Sequence, residues 1–267
     1  MRVARFVFSF LLVLALSPNL KSQQPTTSVQ RDPQALAAIQ QAIVAMGGSN
    51  AVAQVQTVIA QGSIASAPGA NAPAGNFVSE DQFTSQGHEF KDTFQSAELT
   101  QNFVSGHGNP GLISNGQTRK FYPHVANSRL ALHVPAIVLA GVLSNASYSI
   151  NWVGSITING QAAVQIHLHL DTDRFSQTLA AQDWYFDPAS GLPLRVEYRV
   201  PDTEDPMKFI NAAASFSDFR SVQGVLTPFR IQTYEDAHVR HILILSSVTF
   251  NQPTPSSDFD LPPAVAQ

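Results

Sequence analysis

Alternation with period two recurs along most of this chain and limits what it can fold into. Leu194, Val196, Tyr198 and Val200 oppose Arg195, Glu197 and Arg199, while Val225, Thr227, Phe229 and Ile231 oppose Arg230 and Gln232. Successive side chains of a strand point to opposite faces, so such runs have one covered and one wet face, as in an antiparallel sheet. The same rhythm runs through GNFVSEDQFTSQ, HEFKDTFQS, LTQNFVSG, LISNGQTRKFYP, YSINWVGSITINGQAAVQIHLHLD, MKFINAAASFSDFR and AHVRHILILSSVTFN. The Asn115–Gly116 and Asn159–Gly160 steps are two-residue hairpin signals, because both residue types tolerate positive φ. The pattern predicts an α+β fold with roughly ten or eleven strands. A single antiparallel sheet of that width must curl, since twisted sheets rarely stay open and flat.

Two segments break the β rhythm with helical spacing. In DPQALAAIQQAIVAMGG, Asp32 suits the N-cap and Pro33 the first helical position; Leu36, Ile39, Ile43 and Met46 then recur on one face until Gly47–Gly48. A short amphipathic piece, Ser49 to Gln56, leads into a first strand near Thr57 to Ser66. The second segment is LALHVPAIVLAGVLS, Leu130 to Ser144, within a stretch from Arg129 to Asp171 that has no Lys, Arg, Asp or Glu between its ends. Pro135 places a regular helix at about Val134 to Leu143. A helix lying on a sheet as a simple lid should show a polar outer face. This one shows none. Either both its faces are buried in protein, or one lines an apolar cavity. A curved sheet offers few elements to cover the second face, which favours a cavity. Its candidate lining is Leu130, Val134, Ile137, Val138 and Leu143, with Tyr148, Ile150 and Trp152 on the strand that follows.

The 267 residues carry a formal charge of -4, and only 13% are charged. Nucleic-acid binding needs a basic face, which this balance does not supply. MRVAR, then FVFSFLLVLAL, then SPNLKSQQ reads as a signal peptide over residues 1–22, because an apolar core of eleven residues is too short to span a bilayer. Residues 23–31 read as a disordered lead-in, and 32–267 as one domain. The chain has no Cys, so it has neither a disulfide framework nor a thiol for lipidation or catalysis. A periplasmic or extracellular location follows, with the chain soluble after signal removal.

Few constellations suggest chemistry. His167, His169 and Asp171 alternate in HLHLDTD and so share a strand face, where two imidazoles and a carboxylate would suit a transition metal. Yet Val164, Ile166, Leu168 and Leu170 fill the other face, so these three also read as its wet side. His124 and His133 flank the apolar helix; His133 is placed to meet a ligand head group or to be satisfied in the core. No nucleophile elbow, phosphate-cradling loop or dinucleotide fingerprint occurs, and no cofactor is expected.

Several hairpins carry a resemblance. AMGGSNAVAQVQTVIAQGSI (Ala45 to Ile64), WYFDPASGLPLRVEYR (Trp184 to Arg199), FSDFRSVQGVLTPFRIQ (Phe216 to Gln232) and VTFNQPTPSSDFDLP (Val248 to Pro262) resemble, in this order along the chain, segments of the bacterial outer-membrane lipoprotein-carrier superfamily. The resemblance implies a strongly curved half-barrel closed by helices over an apolar cavity that takes acyl chains. The matched motifs form turns, so they transfer no ligand-binding residue, and they assign no arginine to a cavity. The expectation is a non-enzymatic carrier for a lipid, an acyl chain or an acylated protein, with transient contact at membrane surfaces. Two other readings stand beside it: an envelope sensor or scaffold that binds a protein partner on its concave face, and a metal-dependent hydrolase using His167, His169 and Asp171.

Overall fold

Asp32 starts the first helix. Its carboxylate accepts hydrogen bonds from the Gln34 and Ala35 amides at 2.7 and 3.0 Å, and Pro33 follows at the first helical position. The resulting helix α1 (Pro33–Ala45) buries Ala35, Ile39, Ala42 and Ile43 on one stripe. The chain is seen here as a computed structural model that describes residues 29–66, 74–85, 87–202, 205 and 208–263. The signal peptide expected at 1–22 and residues 23–28 lie outside the described residues.

Past α1 the backbone turns at Gly47, with φ +121°. A Cβ there would sit 2.1 Å from the Gly224 carbonyl oxygen, so only glycine allows this approach. The Leu226 amide donates to the Met46 carbonyl at 2.9 Å, which stitches the helix end to a distant hairpin. The short helix α2 (Ser49–Ala53) then leads into the sheet.

Thirteen strands are present among the described residues: β1 (Thr57–Ser66), β2 (Gly75–Thr84), β3 (Gly87–Gln95), β4 (Thr100–Gly106), β5 (Asn109–Ser114), β6 (Gln117–Lys120), β7 (Tyr148–Ile158), β8 (Gln161–Leu170), β9 (Gln182–Phe186), β10 (Pro193–Pro201), β11 (Phe209–Val222), β12 (Val225–Glu235) and β13 (His238–Phe250). They form one antiparallel sheet in the order β6-β5-β4-β3-β2-β1-β13-β12-β11-β10-β9-β8-β7. Among the described residues only the β1–β13 pairing joins strands far apart in sequence, and β6 and β7 are the outermost strands. The connection between those edges carries α3 (Pro123–Asn127) and α4 (Pro135–Ser144), so the apolar helix lies where the chain crosses from one side of the half-barrel to the other. A fifth helix, α5 (Arg174–Leu179), links β8 to β9.

The strand count exceeds the expected ten or eleven because segments with an internal turn each hold two strands. Asn115–Gly116 and Asn159–Gly160 both have positive φ and join β5 to β6 and β7 to β8. At the β9–β10 turn the Asp187 side chain accepts from the Ala189 amide at 2.8 Å, and the Asp187 amide donates to Leu192 O at 2.9 Å. Only two helical regions were expected; α3 and α5, of five and six residues, are too short to show an apolar period. Bulges at Gln61/Gly62, Trp152/Gly154 and Thr233/Tyr234 interrupt the ladders, and such insertions bend a sheet.

The main core lies between the inner face of the sheet and α1, α2 and α4. Trp184 anchors it, with its ring 6.1 Å from those of Phe186 and Phe216, and its buried N–H donates to Gln182 Oε1 at 2.7 Å. The lead-in is not wholly free. Gln30 and Asp32 exchange backbone hydrogen bonds with Ile150 on the β7 edge, and the Arg31 guanidinium donates to the Leu143 and Asn145 carbonyls at 2.9 and 3.0 Å. An edge strand thus supplies partners for the backbone around residues 30–32.

Candidate functional site

The helix α4 shows why it has no polar face. Pro135, Ala136, Leu139 and Val142 are buried, with α4 packed against α1 and α2. Ile137, Val138, Ala140 and Leu143 are only partly covered and line a cavity of about 760 Å³. Its other walls come from Ile43 of α1, Val52 of α2, Phe83 and His88 at the β2–β3 turn, and Tyr148 and Tyr198 of the sheet. Exposed Thr84, Gly87, Gly141 and Ser144 form part of the rim.

Of the residues expected to line the cavity, Leu130, Ile137, Val138, Leu143 and Tyr148 do so. Val134 and Ile150 do not: both are fully buried in the packed core. Val134 is the N-cap of α4 rather than a residue on its free side, and Ile150 is held in register by the lead-in. Trp152 lines a separate hollow of about 250 Å³ with Gln34, Ala38, Gln41 and Phe186. Trp152 shares a strand face with Tyr148, but four residues of strand rise, roughly 13 Å, carry it along the sheet to α1.

One end of the cavity is charged, and sequence reasoning missed most of it. Strand β2 turns Phe77, Ser79, Asp81 and Phe83 to one face, with Ser79 and Asp81 fully buried. The Asp81 carboxylate lies 2.7 Å from His88 Nε2 and 2.8 Å from His133 Nε2; the second contact is an ion-pair approach without hydrogen-bond alignment. Burial alone would raise the Asp81 pKa, but His133 and His88 outweigh it and hold the carboxyl well below the usual range. Ser79 Oγ bridges the Asp81 and Asp92 carboxylates, 2.9 Å from Asp81 Oδ2 and 2.6 Å from Asp92 Oδ1. Asp92 in turn accepts from Arg129 Nε at 2.7 Å and also pairs with another guanidinium nitrogen of Arg129. Burial works against the Arg129 charge, yet Asp92 and Asp81 push its pKa above the ordinary value. Arg129 and His133 therefore tie the segment entering α4 to β3 and β2. His133 is buried against Asp81 and lines no part of the cavity. Its signal in the sequence was a lone polar side chain in an apolar run, which needs a buried partner.

The HLHLDTD side chains lie side by side, the His167 and His169 rings 5.3 Å apart, but take separate carboxylate partners. His167 Nδ1 lies 3.2 Å from Asp183 Oδ1, whereas His169 Nε2 lies 3.2 Å from Asp171 Oδ1. Burial would raise the Asp183 pKa, but hydrogen bonds from His167 and Gln165 lower it. The Asp171 side chain is buried and also bonds Ser149 and Gln177, so it is not on a wet face as expected. Among the described residues, no group of three or more His, Asp or Glu side chains is arranged to hold a metal ion.

No family model and no curated protein matches the chain. Solved structures do. A putative outer-membrane lipoprotein-sorting protein domain from Vibrio parahaemolyticus superposes with a TM-score of 0.54 at 15% identity, over 85% of this chain and 97% of that one. A DUF1329 family protein from Desulfovibrio piger gives 0.52 at 12% identity over the same shares. A LolA superfamily protein from Nitrosomonas europaea gives 0.50 at 13%, again over 85% and 97%. At these identities the likeness is one of fold. The curved antiparallel half-barrel with helices across its inner face gives this chain the LolA-like fold.

Proposed function

We propose that this chain is an exported, non-enzymatic carrier that holds a lipid or the acyl chain of a lipidated protein under α4. The observation that carries the reading is the double role of that helix: one side closes the core, and the other borders a cavity of about 760 Å³. A methylene and a water molecule take similar volumes, about 30 Å³ each in a liquid, so the space suits roughly 25 such groups. That is room for one long acyl chain. Each methylene moved from water into an apolar site contributes about 0.8 kcal/mol, so retention needs no covalent step.

A lipoprotein-sorting domain among the structural neighbours supports the same class of cargo. Residues 1–22, read as a signal peptide, support export to the periplasm. Among the described residues no helix is long and apolar enough to cross a membrane. Contact with a membrane surface during loading and delivery fits a carrier of this kind. The reading is tested by titrating the purified chain with a fatty acid whose fluorescence rises on leaving water. One saturable site per chain at micromolar concentration is expected. A signal that rises without saturating, as on any apolar surface, overturns the proposal.

A further inference from the structure

The cavity is apolar along α4 but ends in two basic side chains. Among its described lining residues, Arg129 and His88 are the only ones of the Lys, Arg, His, Asp and Glu types. Both sit at the same end. The Arg129 guanidinium carbon lies 5.2 Å from the centroid of the Phe90 ring, and the His88 ring centroid is also 5.2 Å from it. Their carboxylate partners, Asp92 and Asp81, line no part of the cavity and stand behind them. Both carboxylates are engaged by protein partners, whereas Arg129 and His88 border the space. A guanidinium has five N–H groups. Among the described residues, Arg129 uses them on Asp92 through two nitrogens and on the Leu130 carbonyl, leaving donors over. The two cavity tyrosines stay neutral, since burial raises the pKa of Tyr148 and pushes that of Tyr198 up to about 12.

We infer that this end of the cavity seats an acidic headgroup, carboxylate or phosphate, of a molecule whose acyl chain lies along α4. The inference rests on the carrier reading and names the cargo class within it. A neutral lipid offers Arg129 only uncharged acceptors, such as a hydroxyl or an ester carbonyl; an acidic headgroup returns charge-assisted hydrogen bonds, the stronger kind. Asp92 and Asp81 orient the two donors before the cargo arrives, so little ordering remains to be done on binding.

Four ligands separate the possibilities: palmitate, hexadecyl phosphate, hexadecanol and inorganic phosphate, each competed against a fluorescent fatty acid. The acidic sixteen-carbon ligands should bind at least about tenfold more tightly than the alcohol, a difference near 1.4 kcal/mol. That ratio should fall towards one in Arg129→Gln, and part of the way in His88→Gln. Inorganic phosphate alone should not compete. If the alcohol matches the acids in the natural protein, the headgroup seat is wrong while the carrier reading stands. If inorganic phosphate competes as well as hexadecyl phosphate, the end binds free anions and the proposal also fails. If no sixteen-carbon ligand binds, the carrier reading itself falls. Should Arg129→Gln fail to fold, the ratio in the natural protein and in His88→Gln still decides.

Discussion

Asp81→Ala is expected to destabilise the protein by about 3–5 kcal/mol, the usual cost of breaking a buried ion pair by removing one partner. The carboxylate is fully buried and faces two imidazoles and the Ser79 hydroxyl. Its removal leaves His133, itself 2% exposed, without its ion-pair partner beneath the segment entering α4. For a chain of this length the loss corresponds to a midpoint lower by on the order of 10 °C. Thermal unfolding followed by circular dichroism reads it directly. A change below about 1 kcal/mol, typical of an exposed pair, would show that the cluster does not hold the helix.

The same carboxylate sets an acid dependence with a definite sign. Its folded pKa is depressed, so the folded state binds fewer protons than the unfolded chain as pH falls below the ordinary aspartate value. The stabilisation is complete above about pH 4 and disappears as pH drops through the lower folded value. Asp81→Asn removes this titration. The natural protein should therefore lose more stability than the variant between pH 5 and pH 2, and parallel losses would contradict the assignment.

The second large effect is on binding. Ile137→Asp puts a carboxylate on the cavity side of α4, among Val138, Leu143 and Val52. In the empty cavity water hydrates it, so folding should change little. An acyl chain would strip that water, and an unpaired buried charge costs several kcal/mol. Affinity for the fluorescent fatty acid should drop by at least about 100-fold. Ile137→Trp is the uncharged counterpart, filling the space rather than charging it, and should also weaken binding, by a smaller factor. Wild-type affinity in both variants, with native circular dichroism, would remove the chain from this cavity.

The fold was more legible in the sequence than the site. Alternation such as Leu194 to Val200 reports which face of a strand is covered, and turn pairs such as Asn115–Gly116 require a backbone few other residues adopt, so strands and hairpins are local signals. The β1–β13 pairing is not local: nothing in Thr57–Ser66 or His238–Phe250 names the other as its neighbour. The helix α4 was legible as a helix without a polar face, and five of the eight lining residues expected from it and the following strand do border the cavity. Val134 and Ile150 were misplaced because an apolar side chain looks alike whether a core or a void covers it. The charged end was hidden for a different reason. Glu80 and Asp81 are neighbours of like type, but only the sheet register sends Glu80 outward towards Lys91, at 3.8 Å, and Asp81 inward. Arg129 and Asp92 are 37 residues apart, a separation that no motif spans.

One claim supports the rest: that the side of α4 left uncovered by protein is covered by hydrocarbon in the working molecule. Native mass spectrometry of the chain, purified from its own cell envelope without detergent or solvent extraction, tests this most directly. A single bound lipid per chain, lost on extraction with organic solvent and absent from Ile137→Asp, is the predicted spectrum. A spectrum of the bare chain alone, unchanged by extraction and still bare after incubation with membrane lipids, would contradict it.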